Sequence, residues 1–484
     1  MTQLTLTRAV QEDYEAVCKL YQAVVAAMRA GGLDQWTWGE YPAADIVADD
    51  IEKGQMFVAR DGDRIVSAVC INQQQDDEYA ALNWHYGVNP GLFHRLAIAP
   101  DCQGRGYGRA VLSEVCRILR NTGCDCLRCD TYSHNAAALR LYDRFGMRRA
   151  EEFRFPWKPD PFVPFEMMLT EDCPLLPVRM TPAFRAGDKT PWGGERLKTL
   201  YSKDIPCVPA GESLECSCIP GLESHDATGI SLPELITRHG KRLVGQYAGR
   251  EFPLLLKLLD ARDTLSVQVH PDNAYAAAHE NKLGKTEAWL ILQADEGSEL
   301  VYGVQPGVTM DQLREACEHG SAVEPLLRRV KVQPGDVCFI PAGCVHAICS
   351  GVLLYEIQQS SDVTYRFYDW DRRDARGNTR PLHLQDALAV TDLSIQPEVL
   401  HAPDAPYARM LDTEYFKLDL YSPVSRCAIA PYDDFTILTM LKGNLSLEYG
   451  SVSITLNPGD TYLLPAKAPD IFLNGAGNAA VSLP

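Results

Sequence analysis

VQPGDVCFIPAG, residues 332–343, returns as LNPGDTYLLPAK at residues 456–467. In each copy a Pro-Gly-Asp turn feeds an apolar run that closes on another proline, the pattern of a strand entered through a tight turn. Two copies of one hairpin element predict two related β-barrel units in the C-terminal part of the chain. Short strands and turns dominate around them. Two helical inserts interrupt the strands, each opening on a capping box, Ser231 with Glu234 and Thr309 with Gln312.

Working back from this region, the residues between Phe155 and Gly194 are rich in proline, with Pro156, Pro159, Pro161, Pro164, Pro174, Pro177, Pro182 and Pro191. Proline interrupts regular structure, so a domain junction is expected near 171–178. Upstream the pattern changes. Val10, Tyr14, Val17, Leu20, Tyr21, Val24 and Val25 recur near the helical period and predict a helix over 9–29. MFVAR (56–60), RIVSAVCI (64–71) and LFHRLAIAP (92–100) read as strands. A second helix is expected after the glycines at 104–108. Strands mixed with helices predict an α/β layer for about the first 170 residues.

The chain has 484 residues, more than one hydrophobic core normally serves, and its 46% hydrophobic and 23% charged residues are those of globular protein. A formal net charge of -18 opposes nonspecific binding to nucleic acid or to an anionic membrane. The N-terminus meets acidic residues early and lacks the pattern of a secretory signal, and no apolar stretch is long enough to span a bilayer. A soluble cytoplasmic protein is expected. The 16 cysteines then read as reduced thiols. Cys126 and Cys129 have CxxC spacing, but without a second pair or a histidine nearby they read as part of a buried strand.

Chemistry concentrates in three segments. In TLSVQVHPD (264–272), Gln268 and His270 lie two apart, so on a strand they share a face. GKTEAWLIL (284–292) adds Glu287 and PAGCVHAIC (341–349) adds His346. Imidazole and carboxylate are good zinc ligands, and an amide oxygen is a weaker fourth. Singly, each has a plainer reading: a turn cap for His270, a core histidine for His346, an ion pair with Lys285 for Glu287. Their joint order with YEIQQSSDVTYRFYDWDR (355–372) favours the metal site.

These motifs, with WGGERL at 192–197 and FPLLLKLLDA at 252–261, resemble the bacterial cupin-type mannose-6-phosphate isomerases from about Pro174 to the end. The resemblance implies metal ligands Gln268, His270, Glu287 and His346 for Zn2+, and an active-site arginine at Arg366. It implies interconversion of mannose 6-phosphate and fructose 6-phosphate through an enediolate-like transition state. Arg366 would stabilise the new negative charge or hold the phosphate. Glu356 and Lys285 are candidates for base and acid. Lys257 either holds the phosphate or carries its ammonium out to solvent. Leu214 stands where many relatives have a tryptophan.

In the N-terminal part, QGRGYG (103–108) sits between a strand and a helix, where glycine-freed N–H groups and the helix N-terminus can cradle a pyrophosphate. With NAAALRLYDRFGMRRAEEF (135–153) it resembles the GNAT superfamily of acetyltransferases. That resemblance implies acetyl-CoA contacts at Gln103, Gly104, Arg105, Gly106, Tyr107 and Gly108. Leu96 and Ile98 would meet the pantetheine arm through their backbone, and Asn135 would lie nearby. Tyr142 is either the acid for the departing thiolate or a packed ring. His94 or a water chain would take the proton of an unknown amine acceptor, and LDQWTWGEYP (33–42) is placed along the acceptor cleft.

The expectation is a multidomain chain: an α/β GNAT fold over 1–172, a zinc-binding catalytic cupin over 173–405, and a second cupin barrel over 406–484, the latter two forming a β-rich bicupin of jelly-roll barrels with helical inserts. Its partners would be mannose 6-phosphate, fructose 6-phosphate, acetyl-CoA and the amine, without nucleic acid or membrane. The alternative is a non-catalytic cupin that senses a sugar phosphate and regulates the acetyltransferase.

Overall fold

The computed structural model describes residues 4–484 except 171–172, 374–376, 431, 450–451 and 469. The chain forms two compact units, Met1–Leu176 with Glu448–Ile454, and Pro177–Leu447 with Thr455–Pro484.

The first unit is built on a seven-stranded sheet. Its strands are β1 (Leu6–Arg8), β2 (Met56–Asp61), β3 (Arg64–Asn72), β4 (Pro90–Ile98), β5 (Cys126–Tyr132), β6 (Arg148–Arg149) and β7 (Phe162–Met168), in the order β1-β2-β3-β4-β5-β7-β6. Helices α1 (Tyr14–Ala30), α2 (Ala44–Glu52), α3 (Tyr107–Asn121) and α4 (Ala136–Phe145) accompany it. The helix expected from residue 9 starts later. Val10 is extended, its N–H donates to the Asp13 carboxylate at 3.0 Å, and a single 3-10 turn over Gln11–Asp13 precedes α1. The local side-chain bond at Asp13 outweighs the apolar periodicity there.

Adjacent strands are antiparallel except β4 and β5, which are parallel and pair only over Pro90–Leu92 and Cys126–Arg128. Past that point β4 stays on β3 and β5 on β7, so the two strands part and a wedge opens. The β3–β4 register slips by one residue near Arg95, whose φ of 53° marks a bulge. Cys126 and Cys129 lie in β5, and all 16 cysteines are free thiols.

In the second unit a seven-stranded and a five-stranded sheet form one barrel. The strands Leu254–Ala261 and Val352–Gln359 are adjacent in the seven-stranded sheet, and all eight residues of each are buried. Burial on both faces explains their largely apolar sequence, which Lys257 and Glu356 interrupt. One face of Val352–Gln359 turns into the barrel. The other meets the C-terminal nine-stranded sheet, where the Tyr355 hydroxyl lies 2.7 Å from that of Ser482.

Both Pro-Gly-Asp turns close alike. Gln333 N–H donates to Asp336 at 2.9 Å and Asn457 N–H donates to Asp460 at 2.8 Å, one turn ahead of the strands Asp336–Ile340 and Thr461–Leu464. The Thr309 insert has the expected capping box with Gln312, whereas at the other Ser231 accepts from Glu234 N–H but the Glu234 carboxylate goes to Arg238 instead of returning to the cap. The WGG of WGGERL has a steric reason, since a Cβ on Gly193 would fall 2.4 Å from the backbone nitrogen of Gly211.

Candidate functional sites

The strand Val267–Val269 pairs with His346–Ile348 on one side and Tyr365–Tyr368 on the other, with Gln268 opposite both His346 and Arg366. Residues directly opposite in antiparallel strands share a face, so His346, Gln268 and Arg366 form one inward row. His270 follows two positions after Gln268. A second row comes from the seven-stranded sheet, where Leu214, Lys257, Glu356 and Trp289 lie in register, with Glu287 two residues before Trp289.

Where the two rows meet, one ligand atom from each of His270, Glu287 and His346 lies within 4.8 Å of the others, and all three residues are buried. Glu287 lies 3.4 Å from His270 Nε2, 3.3 Å from His346 Nε2 and 2.9 Å from Lys285 Nζ. Gln268 Nε2 lies 3.3 Å from His346 Nε2. The carbonyl of Cys344 accepts from His346 Nδ1 at 2.9 Å, which turns Nε2 toward the cluster.

Burial and the Lys285 ammonium push His270 down to about 3, and burial lowers His346. Burial pushes Glu287 up, but Lys285 and the two imidazoles outweigh it and hold the carboxyl well below its usual range. Neutral imidazoles beside an ionised carboxylate are the protonation states a divalent cation needs. Neither ring nitrogen of His270 makes a hydrogen bond although both are buried, a deficit that a bound cation would relieve. The donor set therefore fits a metal ion.

A cavity of about 350 Å³ adjoins the cluster, lined by Gln268, Lys285, Glu356 and Arg366 together with Lys257. Glu356 is held from two sides: Trp289 Nε1–H donates at 3.0 Å and Lys257 Nζ lies at 2.9 Å. Lys257 does not reach out to solvent. Burial pushes it down, the carboxylates of Glu356 and Glu212 outweigh that, and it stays charged inside the barrel. Arg366 donates from Nε to Ser266 at 3.2 Å and from Nη1 to the Pro381 carbonyl at 2.8 Å. Burial and the Arg380 guanidinium push it below its usual range.

Sequence reading missed Glu212, Arg185, Lys189 and Arg380, which line the same cavity. They come from segments far apart in sequence and carry no shared spacing.

In the first unit, Gly104 and Gly106 have φ of 74° and 87°, with open space where a Cβ would stand, and Gly106 caps α3. Gly108 serves packing instead, since a Cβ there would lie 2.9 Å from Leu141 of α4. Arg105 and Tyr107 flank these turns. The Gln103 amide donates to the Ile98 carbonyl at 3.1 Å, which ties the loop to the end of β4, while Leu96 sits at the bulge beside the wedge.

Asn135 is occupied in capping α4: it accepts from Ala138 N–H at 3.1 Å and donates to Gln35 at 2.7 Å. The Tyr142 ring packs edge-on against Phe93 and Phe165, and burial pushes its hydroxyl well up. Burial and Arg95 push His94 down to about 4, a weak base. Opposite β4, Asp130 of β5 accepts from the Tyr79 hydroxyl at 3.0 Å, and no motif flagged it.

Fold and sites together define a cupin with a buried cluster able to hold a metal ion and, in the same chain's N-terminal unit, an acetyltransferase-type α/β fold. Residues 184–303 match the catalytic domain of type I phosphomannose isomerase, residues 408–484 the mannose-6-phosphate isomerase cupin domain, and residues 15–147 the acetyltransferase (GNAT) family. The chain belongs to the type I mannose-6-phosphate isomerase family and carries an N-terminal GNAT acetyltransferase domain, so both halves are of enzyme families. It is 36% identical to the mannose-6-phosphate isomerase of Streptococcus mutans over 285 residues, 57% of this chain and 88% of that protein. The crystal structure of the Bacillus subtilis mannose 6-phosphate isomerase aligns at 33% identity with a TM-score of 0.59, covering 64% of this chain and all of that one. The first unit is similar to the mycothiol acetyltransferase of Rhodococcus opacus, 30% identical over 152 residues, 30% of this chain and 45% of that protein.

Proposed function

We propose that the second unit interconverts mannose 6-phosphate and fructose 6-phosphate at a zinc site held by His270, Glu287, His346 and Gln268, and that the first transfers acetyl from acetyl-CoA to an amine. The convergence of both rows on one buried His-Glu-His cluster beside a cation-rich cavity carries the isomerase reading. When bound, zinc supplies Lewis-acid polarisation of the sugar oxygens.

The chain's own groups do the rest. Arg185, Lys189 and Arg380 give the cavity positive charge suited to a phosphate. Glu356, fixed by Trp289 and Lys257, moves the proton between the two sugar carbons, and Lys285 serves the oxygens. Arg366 stabilises the enediolate charge, because a guanidinium keeps its own proton. In the first unit the N–H groups of 103–108 hold the pyrophosphate, the backbone of Leu96 and Ile98 borders the pantetheine arm, and Tyr142 protonates the thiolate. The free cysteines and the acidic charge fit a cytoplasmic enzyme.

Assay of the full chain with mannose 6-phosphate tests this. Turnover to fructose 6-phosphate should be lost with a chelator and restored by zinc. No turnover in zinc-loaded protein that still binds the sugar phosphate would favour the sensing role.

For the loop, Gly106→Val should cost about 1–2 kcal/mol, because an L side chain resists this left-handed backbone. Acetyl-CoA affinity should fall roughly tenfold, read by calorimetry on the full chain.

A further inference from the structure

The wedge in the first unit has a charged residue on each wall. Arg95 stands on β4 at the bulge, and Asp130 stands on β5, two residues beyond the last rung shared with β4. The Arg95 guanidinium is already matched, since it donates to Asp50 at 2.5 Å and to the Tyr41 hydroxyl at 3.1 Å. Side chains alternate along β5. Cys129 is turned toward Cys116 of α3, so Asp130 points to the opposite face, away from the helix that follows the glycine loop. There it accepts from the Tyr79 hydroxyl at 3.0 Å and is half-buried. Asp76 and Tyr41 border the same place.

The glycine loop at the start of α3 puts the acyl donor on that helix's face of the wedge, which leaves the other face, where Asp130 and Asp76 stand, to the acceptor. We propose that Asp130 takes the proton from the acceptor, an amine that arrives as an ammonium ion. This rests on the acetyl-transfer reading of this unit. The ammonium gives one proton to the Asp130 carboxylate, and the freed lone pair forms the C–N bond to the thioester carbonyl. The C–S bond then breaks with its electron pair on sulfur, and the nitrogen's second surplus proton ends on the thiolate. The products are the amide, CoA thiol and one proton passed from Asp130 to water.

Burial and Asp76 push Asp130 up to about 7, against the hydrogen bond from Tyr79, so the group is poised to accept and release a proton near neutrality. The titratable groups around it are Tyr79, Asp76, Tyr41, Cys129 and, from α4, Tyr142.

The test uses the full chain with acetyl-CoA and a panel of tyramine, spermidine and glucosamine, with serine O-methyl ester as a further amine and glycerol as a hydroxyl control. At least one amine should be acetylated. Asp130→Asn should lower its kcat about 10²-fold or more with acetyl-CoA affinity unchanged. The acidic limb of the kcat/KM profile near pH 7 should disappear in that variant. Tyr79→Phe, which keeps the carboxylate, should move the limb to higher pH and retain turnover within about tenfold. Turnover of Asp130→Asn within about threefold of the parent overturns the assignment. Acetyl-CoA binding without acetylation of any amine overturns the substrate class. Failure of the parent chain to bind acetyl-CoA removes the acetyl-transfer reading itself.

Discussion

Arg366→Ala should lower isomerase turnover by about 10² to 10³ while the protein keeps its metal. The side chain stands in the inward row beside Gln268, and its Nε and Nη1 are fixed by Ser266 and the Pro381 carbonyl. Nη2 donates to no protein group among the described residues, so it is the arm left for substrate. A held guanidinium needs no reorganisation when charge develops on the sugar oxygens, which is why its loss should fall on kcat. If Arg366 instead binds only the phosphate, KM rises and kcat stays, so the split between the constants decides its role. Metal analysis of the variant should match the parent. Near-normal turnover would take Arg366 out of the mechanism.

Much of this barrel could be read from the chain because its chemistry sits in short strands with a period of two. Gln268 and His270 lie on one strand face by that rule alone, and the structure puts both beside His346. Lys257 and Glu356 were harder. Each interrupts an apolar strand, and the sequence gives no sign that the two strands are neighbours in register, so the ion pair between them was invisible. An isolated lysine in such a strand reads as reaching for solvent. The sequence left Lys257 open between that and a phosphate contact, and the cross-strand carboxylate removes the first.

The first unit divides differently. QGRGYG announced its turn because positive φ needs glycine, as at Gly104 and Gly106. Asn135 was legible as a position near that turn but not as a helix cap tied to Gln35, and for Tyr142 the sequence offered a packed ring without showing that Phe93 and Phe165 are the rings it meets. Asp130 gave one signal, a carboxylate inside the strand Cys126–Tyr132, where burial of a charge is costly. That cost marks it only once the wedge between β4 and β5 is seen.

Glu287→Gln should have the largest effect in the chain: metal content below about one-tenth of the parent's, and isomerase turnover down by more than about 10³. The amide keeps the shape of the carboxylate but not its charge, and in this cluster the charge has three neighbours, Lys285, His270 and His346. Lys285 is buried and would lose the carboxylate 2.9 Å away, so the metal-free protein should also lose about 3–5 kcal/mol. Metal analysis reads the first effect and a urea transition of the chelator-treated chain reads the second. The contrast with Arg366→Ala separates two causes of inactivity, since one variant keeps the metal and loses charge stabilisation whereas the other loses the metal itself. A Glu287→Gln protein purified with a full complement of metal would show that the cation sits elsewhere, and the paired rows would then need another reason to leave His270 without a hydrogen bond.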